Sequence, residues 1–458
     1  MSVQSASAIS PVTRRLSDYI AAAAGRALPP PVTMKTEDHV LDTLAAIVSG
    51  SRLAAGMQAA AYVKRLGGTP EATVIGTGLV VPAELASLAN GMAGHADETD
   101  DSHLRGRFHP GCGIVPAALA VGEAQGSSGT EFLRAVALGY DVGARLTMSL
   151  GYPNPNQATH STHTLGVLFG AAAAAAALLH LDARQVRHAL SYAAQQASGC
   201  PYWHRDSEHI EKAFDFGGMG ARNGVAGAMM VASGMSGVDD PFDGPGNFFT
   251  GFALKPQPGV LAHELGQRYE IMEASIKKWC VGSPIQSVLD ATTALIEQHR
   301  IRATDVKAIA ITMPDDRMHI VNNREIPDIC VQYLTALALV DGTVSFAAAH
   351  DEARMTDPDV QEVRDKIELI PSPELSAAVP ARQAIVDIEL ADGRKVTHHA
   401  KAVRGTPDNP MTKEEIQDKA LDLMGPVTGY SRAAALVAEI RTIISLRSVR
   451  DLRPLLQA

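Results

Sequence analysis

The stretch GHADETDDSHLRGRFHPG, residues 94–111, sets four carboxylates and three histidines within one short segment. Asp97, Glu98, Asp100, Asp101, His103 and His109 offer oxygen and nitrogen ligands in quantity. Their spacing, however, matches neither a zinc pattern with two histidines on one helix face nor a calcium loop with acids at alternate positions, a central Gly and a terminal Glu. Carboxylates this crowded repel one another unless cations pair with them, and Arg105, Arg107 and the histidines are the local candidates. The segment reads either as a solvated charged loop or as a functional site. A second group, ATHSTHTLG, places His160 and His163 three residues apart just before an Ala-rich run. Backbone N–H groups point outward at a helix start and favour an anion there, although a cap or a packed core histidine fits the same spacing. In SIKKWCVGSPIQSVLDA, Ser283-Pro284-Ile285-Gln286 has the form of a capping box with Pro at the first helical position. Lys277 and Lys278 precede it at the end of a strand pattern, which sends them to opposite faces. HIEKAF adds an isolated lysine, Lys212, whose default place is in solvent.

Elements must hold these groups, and the chain has the length for more than one core: 458 residues, with 46% hydrophobic and 20% charged. A formal charge of -10 with no offsetting basic block argues against a general nucleic-acid or anionic-membrane partner. An anionic substrate therefore needs a locally basic pocket. The N-terminal segment lacks the apolar core of a secretory signal, and Cys112, Cys200, Cys280 and Cys330 lie far apart with no C-x-x-C. Free thiols in a cytoplasmic protein are the expectation. The run GVLFGAAAAAAALLHL from Gly166 is shorter than a membrane span and reads as a buried helix.

From about Thr13 to Gly266 helical periodicity alternates with Gly/Pro breaks. HVLDTLAAIVSG ends at Gly50, EFLRAVALGYDVGARLTM follows the loop GSSG, and ARQVRHALSYAAQQASG is closed by Gly199. After Gly266 strand character appears in YEIMEASIKKW, VKAIAITMP, DKIELIPS and AIVDIELADGRKVTHHAKAV, with a hairpin turn at Asp392-Gly393. Helical patterns at Pro284–His299 and Pro327–Val340 interrupt these strands, the second closed by Asp341-Gly342. Helices return from Thr412 to Leu456. The expected fold is mainly α: a large all-helical domain from residues 1–267 and 406–458, and a smaller α+β lid domain at 268–405.

The blocks HADETDDSHLRGRFHPGCGIVPAALAVGEAQGSSGTEFLRAVALGYDVGARL, THSTHTLGVLFGAAAAAAALLHLDARQVRHALSYAAQQASG and VGSPIQSVLDA together resemble the MmgE/PrpD family. That family includes 2-methylcitrate dehydratase, cis-aconitate decarboxylase and iminodisuccinate epimerase. The resemblance spans nearly the whole chain and implies the same two-domain architecture, a homodimer, and catalysis with neither metal nor organic cofactor. It aligns the family's first carboxylate with Glu98 or Asp97, its hydroxyl position with Ser102, and the histidine of its H-P ending with His109. The histidine before the helix falls on His160, with His163 as the competing choice. The two lysines fall on Lys277 and Lys212, and Tyr152 is a further proton-donor candidate. Two departures stand out. Where several members carry a histidine in the lid helix this chain has SPIQ, and where the decarboxylases have an aromatic residue before N-R-P it has HIVNNREIP.

The chemistry so implied is proton transfer at a carbon next to a carboxylate of a small di- or tricarboxylate. Such a proton is weakly acidic, so a positioned base and cations that stabilise enolate-like charge are needed. In that scheme Lys277 and Lys212 bind carboxylates and His109 and His160 exchange protons. Asp97 or Glu98, with Asp101, orients the histidines, while Ser102 and His103 complete the substrate contacts. A dehydratase is the leading expectation, an epimerase or decarboxylase the alternative, and a carboxylate-binding protein the non-enzymatic one.

Overall fold

A computed structural model describes residues 9–153 and 157–457. By contacts the chain divides into two units: a helical one, from the described residues of Met1–Ala96, Asp100–Ala274 and Leu423–Ala458, and an α+β one, from Asp97–Thr99 and Ser275–Asp422. The protein is mainly helical, with few and small sheets.

The helical unit is built on α1 (Pro11–Ala21), α2 (Pro30–Gly50), α3 (Ala54–Leu66), α4 (Ala83–Gly94), α5 (Gly111–Gln125), α6 (Gly129–Ser149), α7 (Thr162–Leu178), α8 (Ala183–Gln195) and α9 (Met219–Ala232). Apolar all round, α7 is buried from Thr164 to Leu178 and packs against both α6 and α9. Glycine makes this possible. A Cβ at Gly143 of α6 would lie 2.4 Å from the carbonyl oxygen of Gly166 in α7, so only a bare backbone fits the crossing. A capping box starts α6: Ser128 Oγ accepts from the Glu131 backbone N–H while the Glu131 carboxylate accepts from that of Ser128. No single helix among the described residues is long and apolar enough to cross a membrane.

In the α+β unit a four-stranded sheet is formed by β1 (Val306–Pro314), β2 (Ile367–Ser372), β3 (Ala384–Leu390) and β4 (Lys395–Ala400) in the order β2-β1-β3-β4. β1 and β2 are parallel, and β1–β3 and β3–β4 antiparallel. Alternation along β3 buries Ala384, Val386, Ile388 and Leu390. That face carries α10 (Gln286–His299), which packs in turn on the helix Val331–Asp341. The Asp392-Gly393 turn forms as its sequence suggests, with Gly393 at φ 88.

Three sequence-level expectations are corrected. YEIMEASIKKW is not a strand: Glu270–Glu273 is a 3-10 turn and only Ala274–Ser275 is extended. A helix does start after Gly282, but SPIQ makes no capping box, because the buried Gln286 side chain turns back to the Trp279 N–H and to the carbonyls of Trp279 and Val281. The α+β unit also reaches beyond residue 405 to Asp422. Arg404 there pairs with Glu415, and the Phe346 N–H donates to the Asp422 carboxylate.

Candidate active site

In the helical unit, α4 ends at Gly94 and α5 begins at Gly111, so the acidic stretch is the connection between two packed helices. Asp100 is fully buried there and its two oxygens serve two imidazoles: Oδ2 lies 3.0 Å from His95 Nδ1 and Oδ1 3.0 Å from His109 Nδ1. Burial alone would raise this carboxyl, but the two imidazoles and their hydrogen bonds hold it well below the usual carboxylate range. An anion at both Nδ1 atoms fixes the orientation of both rings and leaves each Nε2 to face a reactant. His95 Nε2 is buried and makes no hydrogen bond among the described residues. One ligand atom each from His95, Asp100 and His109 lie within 4.8 Å of one another. This set is able to hold a divalent cation, which would compete with the Asp100 hydrogen bonds.

Around this dyad the aromatic rings are layered. Phe216 stacks on His163 with centroids 3.5 Å apart and on His95 at 4.3 Å, and the His109 ring lies 4.9 Å from His95 and 5.4 Å from His163. Burial, then the neighbouring His109, His95 and Lys212 charges, push the His163 imidazole well below its ordinary value, so the neutral ring is favoured. Its Nδ1 is buried with no hydrogen bond among the described residues. The Lys212 ammonium lies over Phe216 at 5.2 Å and over Trp203 at 5.5 Å. A π-turn, Phe214–Gly218, inserts Phe216 between the imidazoles. The same turn carries Asp215, which accepts from Ser161 Oγ at 2.5 Å and Thr164 Oγ1 at 2.7 Å and so fastens the first turn of α7 beside His163. Burial raises the Asp215 carboxyl to about 6 against those two bonds.

Other expected residues lie elsewhere. Asp101 is taken by a separate buried network in which His39 Nδ1 is 2.6 Å from Oδ2, the Tyr140 hydroxyl donates to Oδ2 at 2.6 Å, and the Gly111 N–H donates to Oδ1 at 2.8 Å. It holds the start of α5 and makes no bond to His109. His103 accepts from the Gly106 N–H and turns its Nε2 to Glu270, 3.5 Å away. Ser102 is buried. His160 packs on Phe252 apart from the histidine cluster, and the Tyr152 hydroxyl donates to the Phe252 carbonyl. The structure thus groups His163, and not His160, with His109.

In the α+β unit, Asp97–Thr99 is held by three cationic side chains. Asp97 accepts from the Thr99 N–H and hydroxyl and pairs with His350 Nε2 at 2.8 Å. The buried Lys277 ammonium donates to the Glu98 carbonyl at 2.7 Å and lies 3.3 Å from its carboxylate. Lys419 donates to the Thr99 carbonyl. Lys278 instead rests on the Trp279 ring, so the two lysines do diverge, although no strand carries them.

Asp100, His95, Phe216 and His350 were missed as site residues. Asp100 and His95 carried a signal, since both belong to the acidic stretch. Phe216 and His350 carried none, because a phenylalanine in KAFDFGG and a histidine after FAAA read as core and surface.

Carboxylate-oriented imidazoles beside an ammonium group are equipment for moving protons on an anionic molecule. The MmgE/PrpD N-terminal domain matches residues 14–260 and the MmgE/PrpD C-terminal domain residues 279–442, and the chain belongs to the MmgE/PrpD family. A search of the curated proteins finds no match to it. Family membership supports a dehydratase- or lyase-like enzyme, or a related one of carboxylate metabolism.

Proposed function

We propose that the protein is a dehydratase-like lyase acting on a small di- or tricarboxylate by proton transfer at the carbon next to a carboxylate. The observation that supports this most is the single buried carboxylate of Asp100 shared between the Nδ1 atoms of His95 and His109. In the reading, a neutral imidazole of the cluster takes the proton, and the C–H electrons pass into an enolate stabilised by the Lys212 ammonium. They then expel the hydroxyl, which leaves as water because a second histidine, in its protonated imidazolium form, gives it a proton. Epimerisation is the second reading. Its support is that His95 and His163 both lie in ring contact with His109, and return of a proton to the opposite face of a carbon needs a second carrier.

The test uses EDTA-treated protein with 2-methylcitrate and related di- and tricarboxylates, following unsaturated product and deuterium uptake from solvent. Asp100→Asn keeps the shape but cannot accept from both rings, and turnover is expected to fall about 10²–10⁴-fold. Full turnover in that variant, or restoration of an EDTA-silenced enzyme by metal, overturns the mechanism. Deuterium uptake without loss of water replaces the dehydratase with the epimerase.

A further inference from the structure

Among the described arginines of the α+β unit, Arg300 and Arg382 are left-handed, and of the two only Arg382 is partly buried. Its backbone is left-handed at φ 66, a conformation that an L side chain adopts under strain. Its side chain is partly buried, yet it makes no hydrogen bond or ion pair with any described residue.

The sheet register shows what lies near it. Thr312 of β1 stands opposite Ile385 of β3, so β1 runs out at Pro314 into the helix Asp315–Val321 beside the point where Arg382 leads into β3. Arg317 lies on that helix. The acids at this sheet end are engaged: Asp315 and Asp316 accept from Ser376 Oγ, and Asp316 pairs with Arg317 at 3.3 Å. Glu98, whose charge also acts on Arg382, is bound by Lys277. All three carboxylates, Asp315, Asp316 and Glu98, thus have partners other than Arg382.

We propose that Arg382, flanked by Arg317, is the recognition element of a carboxylate-binding site in the α+β unit. A guanidinium presents a planar fork that takes a carboxylate through two parallel hydrogen bonds, and an ammonium does not. Partial desolvation strengthens such a bond and penalises the bare cation. In accord with this, burial and then Arg317 lower the Arg382 guanidinium to about 10, against the opposing pull of Glu98. The group still carries its charge at neutral pH. A left-handed, partly buried guanidinium with no hydrogen bond or ion pair among the described residues is what a ligand contact explains. The choice of carboxylate as ligand rests on the reading of the protein as a carboxylate enzyme; the site itself rests on the α+β unit alone.

The experiment is calorimetric titration of the full-length protein with citrate, and separately with inorganic phosphate, at constant ionic strength. Arg382→Gln and Arg382→Gly are expected to weaken citrate binding about tenfold or more, and Arg382→Lys to restore only part of it. Glycine takes φ 66 without strain, so Arg382→Gly should keep or raise the melting temperature while affinity falls. Citrate affinity within about twofold of wild type in Arg382→Gln overturns the proposal, as does no saturable citrate binding by the wild type. A lower melting temperature in Arg382→Gly marks a structural arginine and overturns it too, and phosphate bound as tightly as citrate removes the carboxylate assignment. Turnover separates the two readings: its fall in Asp100→Asn tests the imidazole mechanism, while the loss of citrate affinity in Arg382→Gln is expected whether or not that mechanism holds.

Discussion

At the scale of single residues, Asp100 shows how one buried carboxylate organises more chemistry than its neighbours. It serves two imidazoles, whereas Asp101 beside it fastens the start of α5 and Asp97 is paired with His350. The Asp97–His350 pair carries a pH signature. Burial would lower the His350 imidazole, but the bond and charge of Asp97, then Asp328, raise it to about 9. The folded value exceeds the unfolded one of about 6.5, so the stabilisation is complete below that pH and is lost as pH rises through about 9. Its ceiling is about 3 kcal/mol. Urea unfolding at about pH 6 and about pH 9.5 should show this loss in the wild type and a much smaller one in His350→Gln. Equal losses in both would show that the pair is not the source. None of these partnerships was legible in the acidic stretch. Spacing excluded the metal patterns, but which of four neighbouring carboxylates meets which histidine depends on groups as distant as His39 and His350.

At the scale of elements, local rules worked where both partners are local. The α6 capping box joins residues three apart, and the Asp392-Gly393 turn needs only its own backbone. They failed where a side chain had a better distant partner: Gln286 abandons its cap for the backbone of residues 279–281. The π-turn at Phe214–Gly218 is likewise invisible to periodicity, since its use is to place Phe216 against His95 and His163. The Ala-rich α7 was legible as a buried helix whose small side chains let neighbours approach closely, but the Gly143–Gly166 contact with α6 was not. Gly143→Val places branched atoms where even a Cβ would be 2.4 Å from the Gly166 carbonyl, and is expected to cost about 3 kcal/mol or more. A urea midpoint equal to that of the wild type would show that α6 and α7 separate at little cost.

At the scale of the whole molecule, the helical unit is closed by residues from the far end of the chain. Arg453 pairs with the fully buried Glu123 carboxylate at 2.5 Å and donates to the Glu71 carbonyl, while Val449, Leu452 and Leu456 are buried. Arg453→Ala strands Glu123 without its cation, and the expected loss is about 3–5 kcal/mol, read by urea unfolding at neutral pH. Because protonation relieves an unpaired carboxylate, the deficit should shrink as pH falls toward about 4. A deficit independent of pH would assign the effect to lost packing.

The sequence by itself determined the mainly helical class, the α+β segment after Gly266 and the buried α7, and it singled out the acidic stretch with its histidines as a candidate site. Each of these follows from composition, periodicity or motifs that a linear reading contains. Only the tertiary structure decided that Asp100 orients the imidazoles, that His163 joins His109 and that His160 does not, and that Asp97–Thr99 belongs with the α+β unit. The Asp100 partners are near in sequence but chosen by burial, His163 meets His109 through ring contacts, and Asp97–Thr99 is held by partners hundreds of residues away. For a buried polar group, finding such a partner outweighs any local preference.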